Sequence, residues 1–161
     1  NMAWRNDFSY KGFNLSVMVS ARFGGIVYSA TQAALDLYGV SEASAKARDK
    51  GYVEVNGNDR LNPESWYSTI GGSDGIPQFY TYSATNVRLQ EASLSYTFKK
   101  NHFFGLGDLT LSVTGRNLLM FYCKAPFDPE TTATTGNYYQ GIDKFMTPST
   151  RNIGFNIKLK F

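Results

Sequence analysis

The stretch Arg151-Asn-Ile-Gly-Phe-Asn-Ile-Lys-Leu-Lys-Phe161 alternates without a break. Ile153, Phe155, Ile157, Leu159 and Phe161 take the odd positions, and Asn152, Gly154, Asn156, Lys158 and Lys160 the even ones. Successive side chains of a strand point to opposite faces, so this is a two-faced strand with one apolar and one polar side. Domain termini usually fray. A patterned strand that runs to the last aromatic residue raises the question of which side meets water.

Other segments repeat the pattern. In residues 2–10, Trp4, Phe8 and Tyr10 share one parity and Arg5, Asp7 and Ser9 the other. Gly12 suits a tight turn within Tyr10–Phe13, after which Phe13, Leu15, Val17 and Val19 oppose Asn14, Ser16, Ser20 and Arg22. Met18 is the large apolar exception on that polar side. Residues 86–98 switch parity between Val87/Leu89 and Leu94/Tyr96/Phe98, which predicts a β-bulge near Glu91 or Ala92. Residues 109–122 begin with Leu109, Leu111 and Val113 on one face and end apolar on both.

The expected strands are therefore 2–10, 13–23, 86–98, 109–122 and 151–161, separated by long loops at 24–85 and 123–148. Within the first loop, 28–39 has helical spacing closed by Gly39, and 41–51 pairs Ser41 as N-cap with Gly51 as a stop. The polar runs around 55–65 and 70–77 read as turns.

Composition narrows the setting. Aromatic residues make up 16% of the 161, apolar residues 42% and charged residues 18%. That balance argues against disorder and for a packed β core or a membrane-facing surface. The mean hydropathy is −0.31 and no apolar run approaches the roughly 20 residues of a spanning helix. The net charge of +3 is small and its cations are scattered, so nucleic acid is not an expected partner. Residues 1–10 have no signal-peptide character and read as mid-strand, as if the chain began inside a fold.

Strand length and loop order decide between a soluble sheet and a membrane wall. Strands of about 11 residues, tilted near 45°, span roughly 26 Å, close to the apolar band of an outer-membrane barrel. The connections alternate short, long, short, long, which is the arrangement of periplasmic turns and extracellular loops. Tyr10, Phe13, Phe98 and Phe161 would then fall at the periplasmic edge as an aromatic girdle, and Trp4, Phe23, Phe121 and Tyr122 near the other. Five strands are too few to close and odd in number, so they read as the last part of a longer barrel.

No catalytic constellation is present, and the chain does not read as an enzyme. His102 and Cys123 are each single in the sequence and cannot form a triad or metal cluster together. His102 reads as a surface residue in a short turn, and Cys123 as a buried or lipid-edge thiol. Asp59, Asp74, Asp128, Glu130 and Asp143 lie in loops with no spacing that requires acid–base work. Residues 56–62 offer oxygen ligands but lack the glutamate that closes a calcium loop. No cofactor or metal is expected.

The candidate contact residues are the loop aromatics Trp66, Tyr67, Phe79, Tyr80 and Tyr82, whose flat faces suit sugars, peptides or a protein partner. Packing of the loop against itself is the plainer reading for any one of them. Arg22 and Arg88 have lumen parity near the outer rim and Arg116 at mid-strand. They could meet an anionic group or pair with Asp7 and Glu91 across the wall.

Residues 82–98, 109–122, 125–131 and 147–161, together with the 6–17 hairpin followed by Gly24-Gly25, resemble the C-terminal end of SusC/RagA-like TonB-dependent transporters of the Bacteroidetes. The resemblance implies an all-β fold: an antiparallel transmembrane barrel of 22 strands, of which these would be the last five, with long extracellular loops. It implies an upstream plug domain, absent from this chain, through which TonB acts. It also implies a SusD-like lipoprotein partner, outer-membrane lipid around the wall, and import of glycans or peptides. Phe161 would be the terminal aromatic read by the barrel-assembly machinery. The alternatives are a passive porin-type barrel and a soluble β-sandwich binding module.

Overall fold

Lys11 and Gly12 both adopt positive φ, +44° and +89°, in the computed structural model of the chain, which describes residues 1–99, 107–131 and 136–160. Two successive left-handed residues make the turn that matches strand twist, and they join β1 (Met2–Tyr10) to β2 (Phe13–Arg22) in continuous antiparallel register. A Cβ on Gly12 would stand 3.0 Å from the Thr97 carbonyl oxygen, so the turn also needs glycine for space.

Clustering of contacts divides the chain into two units. The first comprises Asn1–Gly24, Ala84–Pro126 and Pro148–Phe161 and holds a five-stranded antiparallel sheet. Numbering all strands in chain order, its order is β1, β2, β7 (Asn86–Phe98), β8 (Asp108–Cys123) and β10 (Asn152–Lys160).

Directly opposed residues share a face, and the register sorts the sheet into an apolar and a polar side, with Asn6, opposite Val17, a polar exception on the apolar one. One face carries Trp4, Phe8 and Tyr10, then Phe13, Leu15, Val17 and Val19, then Leu89, Leu94, Tyr96 and Phe98. It continues through Leu109, Leu111 and Val113 to Ile153, Phe155, Ile157 and Leu159. The other face carries Arg5, Asp7, Ser9, Asn14, Ser16, Ser93, Ser95, Thr97, Thr110, Ser112, Thr114, Asn156 and Lys158. Met18, opposite Arg5 and Glu91, is an apolar exception on it.

The apolar face is bare. Phe155 is 81% exposed, Ile157 74% and Trp4 61%. A contiguous apolar surface of this extent is not left to water by a soluble monomer. The polar face holds its groups in cross-strand contacts: Thr97 to Thr110 at 3.0 Å, Ser9 to Asn14 at 2.7 Å, and Arg116 to Glu91 at 3.2 Å.

The parity switch in β7 has its cause at Gln90. Met18 opposes Glu91 and Val19 opposes Leu89, so Gln90 is an extra residue, one position before the expected site. On the other side of β7, Leu89 opposes Leu119 and Glu91 opposes Arg116, and Asn117 in the skipped pair has φ +53°. The two irregularities adjoin at Gln90, and the β7–β8 register shifts once more between Val87 and Arg88.

The second unit comprises Gly25–Ser83 and Phe127–Thr147. Its helices are α1 (Ala30–Leu37), α2 (Glu42–Lys50) and α3 (Pro63–Gly71). Ser29 and Ser41 cap the first two through their hydroxyls, and Gly39 and Gly51 follow the helices at φ +67° and +84°. The third helix was not expected from the polar run before it, although Asn62 caps it and Pro63 opens it. That same run forms a hairpin of β4 (Val53–Val55) and β5 (Asp59–Leu61), turned through Asn56 and Gly57 at φ +53° and +84°.

A small mixed sheet ties the unit's two pieces together. Its centre is β3 (Ile26–Ser29), antiparallel to β6 (Thr81–Ser83) and parallel to β9 (Ile142–Asp143). Ser29 donates to Asp143 at 2.9 Å across this join. The core is Ala33, Ile70 and Tyr80, covered by Tyr28, Trp66 and Tyr67. Helices α1 and α3 approach closely at Gly71, where a Cβ would meet the Ala33 carbonyl oxygen at 2.5 Å.

Candidate functional site

All of the loop aromatics fall in the second unit, and they occupy different depths. Trp66 and Tyr67 lie on α3 and pack over the core. Phe79 and Tyr80 lie on the 3-10 turn Pro77–Tyr80, and Tyr82 lies on β6. Trp66 and Phe79 meet edge-to-face at 5.5 Å, and Tyr82 meets Phe127 in the same way at 6.1 Å. Phe79 is 49% exposed, whereas Tyr80 is 2% exposed.

Tyr80 is inward because its hydroxyl has a partner there. It donates to Asp36 Oδ2 at 3.0 Å, while Gln32 Nε2 donates to Asp36 Oδ1 at 3.1 Å. Burial, and then this carboxylate acceptor, push the Tyr80 phenol far above its ordinary ionisation range. Burial and the Asp36 charge raise Tyr67 and Tyr82 as well. Asp36 is thus the polar centre of the unit, a buried anion held by neutral donors. The sequence signal for it was an acid among the apolar positions of α1, a place where a buried acid needs partners.

An open cleft of about 310 Å³ lies between the ends of the three helices. Asp36, Tyr38, Arg48, Glu64 and Tyr67 are among its walls. Arg48 donates to the Gly39 carbonyl oxygen and reaches Ser44 Oγ at 3.5 Å, so its guanidinium is largely committed to joining α2 to the end of α1. Tyr38 beside the cleft is 77% exposed and Val40 just after it 67%. Phe79 is another exposed apolar residue of this unit, as are Ile26, Ile76, Tyr138, Tyr139 and Phe145.

Arg22 and Arg88 stand on the polar face of the sheet, where Arg22 opposes Asn86 and Arg88 opposes Ser20. Arg88 is 3% exposed, with Nε 3.4 Å from Asn86 Oδ1 and Nη1 3.5 Å from Asn117 Oδ1. Arg116 takes Glu91, and Arg5 rather than either rim arginine takes Asp7, at 3.3 Å. Cys123 ends β8 and donates weakly to the Ala125 carbonyl oxygen at 3.4 Å. Among the described residues, no three His, Cys, Asp or Glu side chains are grouped as a metal site. His102 and Phe161 lie outside the described residues.

At the short-turn end of the sheet, Phe13 and Tyr96 are 4.4 Å apart, and Tyr96 and Phe98 4.5 Å apart. With Tyr10 they form a band across three strands.

No family model matches the chain. It is 26% identical over 176 aligned residues to TonB-dependent receptor P3 of Formosa agariphila, an alignment covering 99% of the chain and 16% of that receptor. Its fold matches a chain of the RagAB peptide importer in the open-open state, with TM-score 0.66 and 20% identity, over 95% of this chain and 16% of that one. The chain therefore spans about a sixth of the length of either relative. Neither relative is named as an enzyme.

Proposed function

We propose that this chain is a SusC/RagA-like segment of a TonB-dependent barrel, in keeping with its likeness to TonB-dependent receptor P3 and to a chain of the RagAB importer, and that it supplies wall and outer loops to an outer-membrane nutrient importer. The five long strands are wall, with the apolar face toward lipid and the polar face toward the lumen. The β1–β2 turn is on the periplasmic side, and the long connections between strands are extracellular. The importer's other parts act beyond this chain: a plug that TonB engages, the remaining strands, and a SusD-like lipoprotein that cooperates in taking up peptides or glycans. Phe161 serves as the assembly aromatic.

One observation carries the reading: an exposed apolar face that runs across all five strands with Asn6 as a polar exception, backed by a face of Ser, Thr, Asn and paired charges. Water would penalise that surface, and hydrocarbon would not. The test places single arginines in the full-length transporter. Leu94→Arg at mid-wall is expected to cost about 2–4 kcal/mol of barrel stability, whereas Ser95→Arg on the opposite face is tolerated. Equal tolerance at both positions sinks the proposal, as does a monodisperse, folded chain in detergent-free buffer.

In the second unit, Phe79, Trp66, Tyr38 and Val40 are the surface through which ligand or lipoprotein is contacted, while Tyr67, Tyr80 and Tyr82 hold that surface in shape. Arg22 and Arg88 lie on the lumen side of the wall near the long loops, where Arg22 offers a charge to anionic cargo.

A further inference from the structure

At the short-turn end of the sheet, Lys11, Tyr96, Phe98 and Lys99 surround a cleft of about 260 Å³. Tyr96 and Phe98 bring the apolar face to it, since Tyr96 opposes Phe13 and Leu111 and Phe98 opposes Leu109, while Gly12 of the turn and Thr97 of the polar face complete its lining. The Lys11 ammonium stands 5.2 Å from the centre of the Tyr10 ring, which is on the same face. Both lysines line the cleft, and among the described residues no carboxylate does. Two cations thus sit where a bare hydrocarbon-like surface ends in an aromatic band.

We propose that this cleft is a headgroup site for one phospholipid, its phosphodiester held between Lys11 and Lys99 and its acyl chains laid along Phe13, Leu15, Leu94 and Leu111. The proposal rests on the reading of the apolar face as lipid-facing. A phosphate needs positive charge within reach, and lysine stems crossing an apolar rim can present it while their methylenes stay dry. The aromatic rings suit the same depth, where one edge is apolar and the other wet. A free phosphate would use the ammonium groups but leave the apolar run without an occupant. A neutral lipid would do the reverse. Phospholipid is the ligand that matches both halves.

The experiment uses the full-length transporter, delipidated in detergent and checked for barrel folding by heat-modifiable gel migration. It is titrated with phosphatidylglycerol, with diacylglycerol lacking the phosphate, and with glycerol phosphate lacking the chains, and bound molecules are counted by native mass spectrometry. Phosphatidylglycerol is expected to bind selectively, with affinity falling about five-fold for each lysine lost, as Lys11→Gln and Lys99→Gln, at about 1 kcal/mol per charge. Lys11→Arg with Lys99→Arg is expected to retain the lipid, and Lys158→Gln on the polar face to leave it unchanged. Equal binding of diacylglycerol, preferred binding of glycerol phosphate, or unaltered phosphatidylglycerol binding in a folded Lys11→Gln/Lys99→Gln variant overturns the site. A parent protein that never becomes heat-modifiable overturns the barrel reading instead, and the site falls with it.

Discussion

Leu118 lies folded over Gly115. A Cβ built on Gly115 would stand 2.5 Å from Leu118 Cδ2, so the absence of a side chain at one residue is what lets the other turn back along its own strand. The turn is set by Asn117, whose positive φ breaks the alternation of β8. Its side chain receives Arg88 and donates to the Thr150 carbonyl oxygen at 3.2 Å. One left-handed residue therefore sets an apolar contact with Leu118 and a polar bridge from β7 through β8 to Thr150, ahead of β10.

Gly115→Ala is expected to destabilise the full-length barrel by about 1–3 kcal/mol through overpacking against Leu118. Unfolding in urea from liposomes, followed by heat-modifiable migration, measures it. Leu118→Ala in the same background should recover part of the loss, and additive effects of the two changes would show that they do not meet.

Removing the Tyr80 hydroxyl leaves Asp36 buried with one donor fewer. Tyr80→Phe is expected to cost about 1–3 kcal/mol, seen as faster hydrogen exchange in peptides covering 30–37 and 77–83, with the five-stranded sheet unaffected. Tyr80→Phe combined with Asp36→Leu should cost less than Tyr80→Phe alone, because no buried carboxylate then lacks a partner.

The same bond gives the second unit an alkaline limit. Tyr80 ionises above its ordinary value of 10.0 in the folded state, so folding favours the neutral phenol. Its contribution is complete below about pH 10 and is lost as pH rises further. Hydrogen exchange of 30–37 should accelerate above that pH in the parent. The slope should shrink in Tyr80→Phe without vanishing, since Tyr67 and Tyr82 are raised too. A parent with no such slope would remove the link.

Phe79→Ala separates contact from packing. With half its surface open, Phe79 should lose less than about 1.5 kcal/mol of stability on truncation, mostly its edge contact with Trp66. Cargo uptake or lipoprotein co-purification is expected to fall several-fold. Unchanged uptake and co-purification would show that Phe79 is only packing.

The wall was readable because each strand repeats one rule. Trp4 to Phe8 to Tyr10 and Ile153 to Leu159 keep parity from end to end, and period two needs no tertiary knowledge. The break in β7 was visible as a change of parity, but not its position at Gln90, because bulge placement depends on what Met18 and Val19 oppose. Helices α1 and α2 announced themselves through the helical spacing of 28–39 closed by Gly39 and through Ser41 and Gly51, whereas the Ser29 cap emerged only in the fold. The start of α3 was hidden in a polar run whose Asn56-Gly57 and Asn62-Pro63 pairs signal a hairpin and a helix start in succession.

The aromatic set was legible only as a set. Sequence alone does not say that Tyr80 turns inward to Asp36 while its neighbour Phe79 stays half open, since that choice belongs to a hydrogen bond spanning 44 positions. The cleft beside Tyr38 and Arg48 was not legible at all, being made by three helix ends that meet only in the fold.

The parallel pairing of β3 with β9, fastened by Ser29 and Asp143, makes residues 25–83 and 127–147 a single inheritable cassette. Recombination that exchanges only the first loop between homologous transporters would bring a foreign β3 to a resident β9. Chimeras should therefore succeed when both loops travel together and fail when one travels alone. Under the proposed importer role, any cargo preference residing in this cassette would diversify by paired exchange while the five-stranded sheet stays fixed.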